Sequence, residues 1–198
     1  MIERILLTPR IVDRLVELMN DSHEYVGQFL AEIRDEGIVP IRCVYCRGSE
    51  LDASHFEDEA AKQKFLQKLN RNAEIAKQNP RRYAIIDFHT HSRRFGDRIR
   101  EYDPYWTITN KCGYPPGSII NGGFYVSMRD GDLGDDITLE EIAQRCQKEG
   151  IKYYHLFVHP VYGSEGTPMT KDKIEITAFK YNPYKIGKVE EIPVMVLI

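Results

Sequence analysis

Apolar side chains recur along this chain with two periods, and each period predicts a kind of element. Ile11, Val12, Leu15, Leu18 and Met19 fall three and four apart behind Thr8-Pro9, the spacing of an amphipathic helix. Thr8 is placed to cap it, and Pro9 takes the first helical position, where a missing N–H costs nothing. Asn20-Asp21-Ser22 ends it. Ala61, Phe65, Leu69 and Ala73, with Leu66 and Ala76 beside them, mark one face of a long helix over about 57–78. Its other positions are Lys, Gln, Glu and Asn, a solvated face, and Asn79-Pro80 stops it. Thr138-Leu139-Glu140-Glu141 has the form of a capping box. It predicts a third helix from 138 to about 149, ended by Gly150.

Between these lie short apolar or alternating runs that predict strands at 2–7, 24–33, 38–46, 83–89, 153–158, 174–181 and 189–198. Asp35-Glu36-Gly37 turns the second into the third as a hairpin, and Pro193 argues for an edge position in the last. Residues 92–137 break the rhythm. They are rich in Gly, Pro, Tyr and charge, and a connection so long inside a compact domain is expected to be functional or mobile. Ile119-Ile120 and Gly123–Ser127 predict a short hairpin inside it. Hairpin connections with helices set between them imply an α+β sandwich, a curved mixed sheet with helices packed on it.

Composition narrows the class. A chain of 198 residues with 42% hydrophobic and 29% charged residues is expected to form one globular domain, 1–198, with an insertion at about 92–137. A net charge of −3 gives no electrostatic case for nucleic acid or an anionic membrane as partner. No apolar run predicts a membrane span or a signal peptide, so the expected compartment is the cytoplasm. The four cysteines fit a reducing compartment. Cys43 and Cys46 are spaced as C-x-x-C, but three residues apart on a strand they face opposite sides and are expected to be structural.

The candidate chemistry sits where the run Tyr83-Ala84-Ile85-Ile86 ends in Asp87-Phe88-His89-Thr90-His91-Ser92. Strand side chains at i and i+2 share a face, so His89 and His91 aim two imidazoles at one spot. That is the beginning of a catalytic zinc site, which takes three protein ligands and keeps one position open. A zinc hydrolase also needs a group to take a proton from water, and Glu24, at the mouth of the second strand, is the candidate. Of the other histidines, His23 and His55 are expected to be solvated, and His155 and His159 to be core or rim residues.

Glu24-Tyr25-Val26-Gly27 after a helix, followed by a strand ending His89-Thr90-His91, resembles the JAMM, or MPN-plus, metalloproteases over residues 1–91, and again over 138–160. The resemblance implies a cytidine-deaminase-like, JAMM-type sandwich and an activity, zinc-dependent hydrolysis of peptide or isopeptide bonds, including those of ubiquitin-like tails. It implies His89 and His91 as zinc ligands and Glu24 as the base. In the family an S-x-x-D segment supplies an oxyanion-stabilising serine and the third ligand. Here the usual spacing from His91 leads to Tyr102. Thr138 and Glu141, at the expected start of the third helix, stand where that serine and aspartate should be. Asp103, Asp130, Asp135 and Asp136 remain alternatives to Glu141, with Ser127–Asp130 matching S-x-x-D literally. Ser92 replaces the family's common proline. The insertion, with Tyr102, Tyr105, Trp106, Tyr114, Arg93, Arg94, Arg98 and Arg100, is suited to clamp an extended peptide. A homo-oligomer is left open.

Two other classes compete. A non-catalytic MPN-type scaffold is motivated by the missing aspartate, although it has no need of His89, His91 and Glu24. The D-F-H-T-H-S segment also resembles the opening metal motif of PHP-type phosphoesterases and amidohydrolases. Those are barrels with the motif on the first strand, whereas about 107 residues follow His91 here, too few for a barrel of ~250 residues.

Overall fold

The computed structural model describes residues 3–48, 56, 58–90, 119–120, 124–125, 135–161, 167–184 and 189–197. Its elements run β1 (Ile5–Leu7), α1 (Pro9–Met19), β2 (Tyr25–Arg34), β3 (Gly37–Arg47), α2 (Glu59–Gln78), β4 (Tyr83–Thr90), β5 (Ile119–Ile120), β6 (Phe124–Tyr125), α3 (Asp135–Lys148), β7 (Lys152–Pro160), β8 (Ile174–Tyr181), β9 (Val189–Ile192) and β10 (Val194–Val196). The Thr8 hydroxyl accepts the Ile11 N–H, and Pro9 opens α1 as the spacing predicts. Asp58 caps α2 by accepting from Ala61 N–H. Beyond α3, Gly150 takes a φ of 74°, the left-handed conformation that glycine adopts without strain.

Eight strands form one mixed sheet in the order β10-β1-β3-β2-β4-β7-β8-β9. β2 pairs antiparallel with both β3 and β4, and β4 pairs parallel with β7. The two ends of this order are consecutive in the chain. Ile192 of β9 pairs with Ala178 of β8, whereas Val194 of β10 pairs with Ile5 of β1. Only Pro193 lies between them, and its carbonyl accepts the Ile5 N–H at 2.9 Å. The single tail strand expected over 189–198 is therefore two edge strands, one at each end of the sheet, and the proline corner nearly closes the sheet on itself. Proline suits that corner because it has no N–H to leave unpaired.

Alternation along the strands divides the sheet into two faces. One carries Ile5, Leu7, Phe29, Ala31, Ile86, Phe88, Leu156 and Val158 onto Val12, Leu15, Leu18 and Met19 of α1. The other carries Leu30, Ile85, Tyr153, Phe157 and Phe179 under Ala76 of α2 and Leu139 and Ala143 of α3. Phe65 of α2 covers Val44 and Cys46 on the same side. No described helix is long and apolar enough to cross a membrane.

α3 begins at Asp135, not at Thr138. By its backbone Thr138 thus lies inside the helix rather than at its first residue. The predicted hairpin at 119–125 is present as β5 and β6.

Candidate functional site

The site is built where β2, β4 and β7 lie side by side. Val26 faces His89 and Gln28 faces Asp87 across the antiparallel β2–β4 pair. In the parallel β4–β7 pair, Asp87 is level with His155 and His89 with Phe157. Alternate residues therefore gather Gln28, Asp87, His89, Tyr153, His155 and Phe157 on the face covered by α2 and α3.

These side chains form a continuous hydrogen-bonded chain. Gln28 Nε2 donates to Asp87 Oδ1 at 2.9 Å, and the Tyr153 hydroxyl donates to Asp87 Oδ2 at 3.0 Å. Tyr153 Oη lies 3.2 Å from His155 Nδ1, and His155 Nε2 lies 3.0 Å from His89 Nδ1. The Phe157 ring packs edge-on against His89, with centroids 4.5 Å apart. Tyr153 and His155 are buried, and each titrating group shows it. Desolvation pushes the Asp87 carboxyl up to about 6, against the bonds from Gln28 and Tyr153. Burial, and then the neighbouring Asp87, hold the Tyr153 hydroxyl well above its usual range. Burial, with His89 adding to it, holds His155 well below the usual histidine value, so it is neutral at pH 7.

Glu24 stands at the same end of the sheet. Its side of the chain is tied down twice: Gly48 N–H donates to the Glu24 carbonyl at 2.8 Å, and Tyr25 N–H donates to Thr90 Oγ1 at 2.9 Å. Glu24 immediately precedes β2, whose Val26 faces His89, so its backbone lies beside the end of β4 that carries His89. The residue is only 6% exposed, uncommon for a glutamate. Gly27 of the E-x-x-G segment has a packing reason. A Cβ there would sit 2.2 Å from the Phe88 ring, so the ring occupies the space a side chain would need.

His23 is not a solvated loop residue. It is half-buried with Nδ1 3.0 Å from Asp21 Oδ1 and 2.5 Å from Arg47 Nη2. The Tyr25 hydroxyl donates to the other Asp21 oxygen at 2.6 Å. This cluster fixes the turn that delivers Glu24 to the mouth of β2.

The structure thus brings Glu24 and His89 to one end of adjacent strands. His91 lies outside the described residues, as do Ser92, His55, Asp103, Ser127, Asp130 and the clamp candidates Arg93, Arg94, Arg98, Arg100, Tyr102, Tyr105, Trp106 and Tyr114. Thr138, Asp135 and Asp136 are placed in α3 by their backbone, and their side chains lie outside what is described. Glu141 is exposed on α3. Among the described residues, no three His, Cys, Asp or Glu side chains are gathered where they could hold a metal ion; Glu141 is not joined there to His89 and Glu24. Cys43 is exposed and Cys46 buried, on opposite sides of β3 as the strand period requires.

Sequence reasoning missed Gln28, Asp87, Tyr153 and His155 as parts of one unit. The signal that could have found two of them was Tyr153-x-His155, polar groups two apart in an otherwise apolar strand. Strand register, which no local pattern gives, was needed to bring them to Asp87 and His89.

No protein-family model matches the chain, and no curated protein matches it. Among solved structures it is similar to the solution structure of protein DSY2949 from Desulfitobacterium hafniense. The two are 11% identical, the match covers 98% of this chain and 92% of that one, and the TM-score is 0.44.

Proposed function

We propose that this protein is a zinc-dependent peptidase or isopeptidase of JAMM type, acting on a peptide or the tail of a ubiquitin-like protein. The observation that carries the reading is the placement of buried Glu24 and half-buried His89 at one end of β2 and β4. The chemistry of the donors supports it. An imidazole nitrogen and nearby carboxylates are zinc-type ligands, and His89 is held through Nδ1 by His155, the kind of brace that orients a metal-binding histidine. His89 and His91 would supply nitrogen ligands, with a carboxylate as the third.

A zinc ion bound there supplies Lewis-acid polarisation of a carbonyl and acidifies water at neutral pH. The rest falls to the protein. Glu24 takes the proton of the attacking water and hands it to the leaving amine. Its burial keeps that carboxylate out of bulk solvent, where its interaction with the reacting atoms would be weakened. The Asp21–His23–Arg47 cluster and the Tyr25–Thr90 bond hold its backbone in place.

Glu24→Gln tests the assignment, because it keeps the shape and removes the base. Screened against peptides and modifier-protein conjugates, the variant should retain zinc and lose about 10²- to 10⁴-fold in kcat. Wild-type turnover in Glu24→Gln would remove Glu24 as base. A wild-type protein that holds no zinc would favour the MPN-type scaffold instead.

A further inference from the structure

We propose that His155 is a positioning residue for His89: through the buried chain Gln28–Asp87–Tyr153–His155, it fixes the His89 tautomer that carries its proton on Nδ1 and its lone pair on Nε2. The inference deepens the zinc-site reading, because it takes Nε2 as the nitrogen that meets the metal. Counting protons along the chain leads to it. An ionised carboxylate only accepts, and Asp87 takes Gln28 Nε2–H on one oxygen and the Tyr153 hydroxyl proton on the other. Tyr153 has one proton and has given it away, so its oxygen accepts from His155 Nδ1, 3.2 Å away. A neutral imidazole carries one N–H. His155 Nε2 is then bare and accepts from His89 Nδ1–H, 3.0 Å away.

Every proton in the row is set by its neighbour, beginning at a carboxylate that both Gln28 and Tyr153 orient. Free histidine prefers the opposite tautomer, with its proton on Nε2, so the chain works against the intrinsic preference. Phe157 adds the shape: its ring lies within 4.6 Å of both imidazoles and keeps the two rings from turning away from each other. A structural core would gain nothing from this arrangement. Buried polar rows are costly, and here Gln28 Oε1 is buried without a hydrogen-bond partner among the described residues; the mainly apolar other face fills the same kind of space without such a row.

The test reads the tautomer directly. Long-range 15N–1H correlation spectra of the imidazoles are recorded on chelator-treated full-length protein at mildly alkaline pH, and zinc affinity is measured by competition with a chelator. Wild type should show His89 protonated at Nδ1. Tyr153→Phe keeps the ring and removes the acceptor for His155 Nδ1–H, so His89 should move toward the Nε2–H form, and zinc affinity should fall about 10- to 100-fold. His155→Leu should do the same, whereas His155→Gln, whose carbonyl can still accept from His89, should recover part of the loss. His89 protonated at Nε2 in wild type, or a Tyr153→Phe protein unchanged in both measurements, would overturn the proposal. Absence of zinc binding by wild type with His89 still protonated at Nδ1 would sink the hydrolase reading and leave the positioning role supported.

Discussion

The two faces of the sheet are built from the same strands and do different work. Toward α1, the side chains of β2, β4 and β7 are mainly apolar, with Phe29, Ala31, Ile86, Phe88, Leu156 and Val158 buried there, and Tyr154 and Thr90 are the buried polar exceptions. Toward α2 and α3, the same strands turn Gln28, Asp87, His89, Tyr153 and His155, interrupted by Leu30, Ile85 and Phe157. Alternation alone makes this division. Asp87 and His89 are separated by Phe88, which points the other way and stacks on Phe29 with centroids 4.8 Å apart. A face that only had to be stable would resemble the first. The second keeps buried polar groups whose desolvation works against folding, the kind of cost on which the proposed functional reading of this face rests.

The largest effect should come from the apolar face. Phe88→Ala removes a fully buried ring and should cost about 3–5 kcal/mol in a denaturant titration. A loss under about 1 kcal/mol would mean that this face does not carry the stability assigned to it.

Asp87→Asn probes the other face through pH. A carboxyl raised to about 6 in the fold contributes stability that is fully present below its unfolded pKa and lost as pH rises through about 6. The ionised form therefore burdens the fold at neutral pH by on the order of 2–3 kcal/mol. His155 and His159, both held low by burial, act in the opposite sense. Their contribution is present above the ordinary histidine pKa and lost as pH falls through the lowered one. Subtracting one unfolding curve from the other isolates Asp87. In chelator-treated protein, the asparagine variant should gain on wild type by that amount between pH 4 and pH 8, within the range set by these groups. A difference that stays flat with pH would contradict the burial of an ionised Asp87.

The element pattern was legible because it is local. Thr8-Pro9, Asn79-Pro80 and the apolar run at 83–86 each act within a few residues, and α1, α2 and β4 lie where they point. Gly27 was legible as a motif position, though not for its reason, which is the Phe88 ring on the next strand. What could not be seen is what register decides. The split of the tail at Pro193 depends on two partners, β8 and β1, that are far apart in sequence. The start of α3 at Asp135 was hidden behind Thr138 and Glu141, whose capping spacing points to a start three residues later. His155 read as a core histidine because nothing local placed it level with Asp87.

A smaller test sharpens the contrast by asking which buried polar groups belong to the functional row. Asn72 on α2 is fully buried, and its side chain has no hydrogen-bond partner among the described residues. It lies outside the Gln28–His89 chain. Asn72→Leu, close to it in volume, should raise stability by about 1–2 kcal/mol, since an unpaired buried amide costs roughly that. A loss of stability would show that Asn72 is tied into the polar face after all.

The account's central claim is a metal site at the shared end of β2 and β4, and equilibrium dialysis against buffered zinc tests it most directly. Wild type should take up stoichiometric zinc, His89→Ala should take up none, and Glu24→Gln should bind as wild type does. A wild-type protein that comes through the dialysis without zinc, or a His89→Ala protein that binds it undiminished, would contradict the claim.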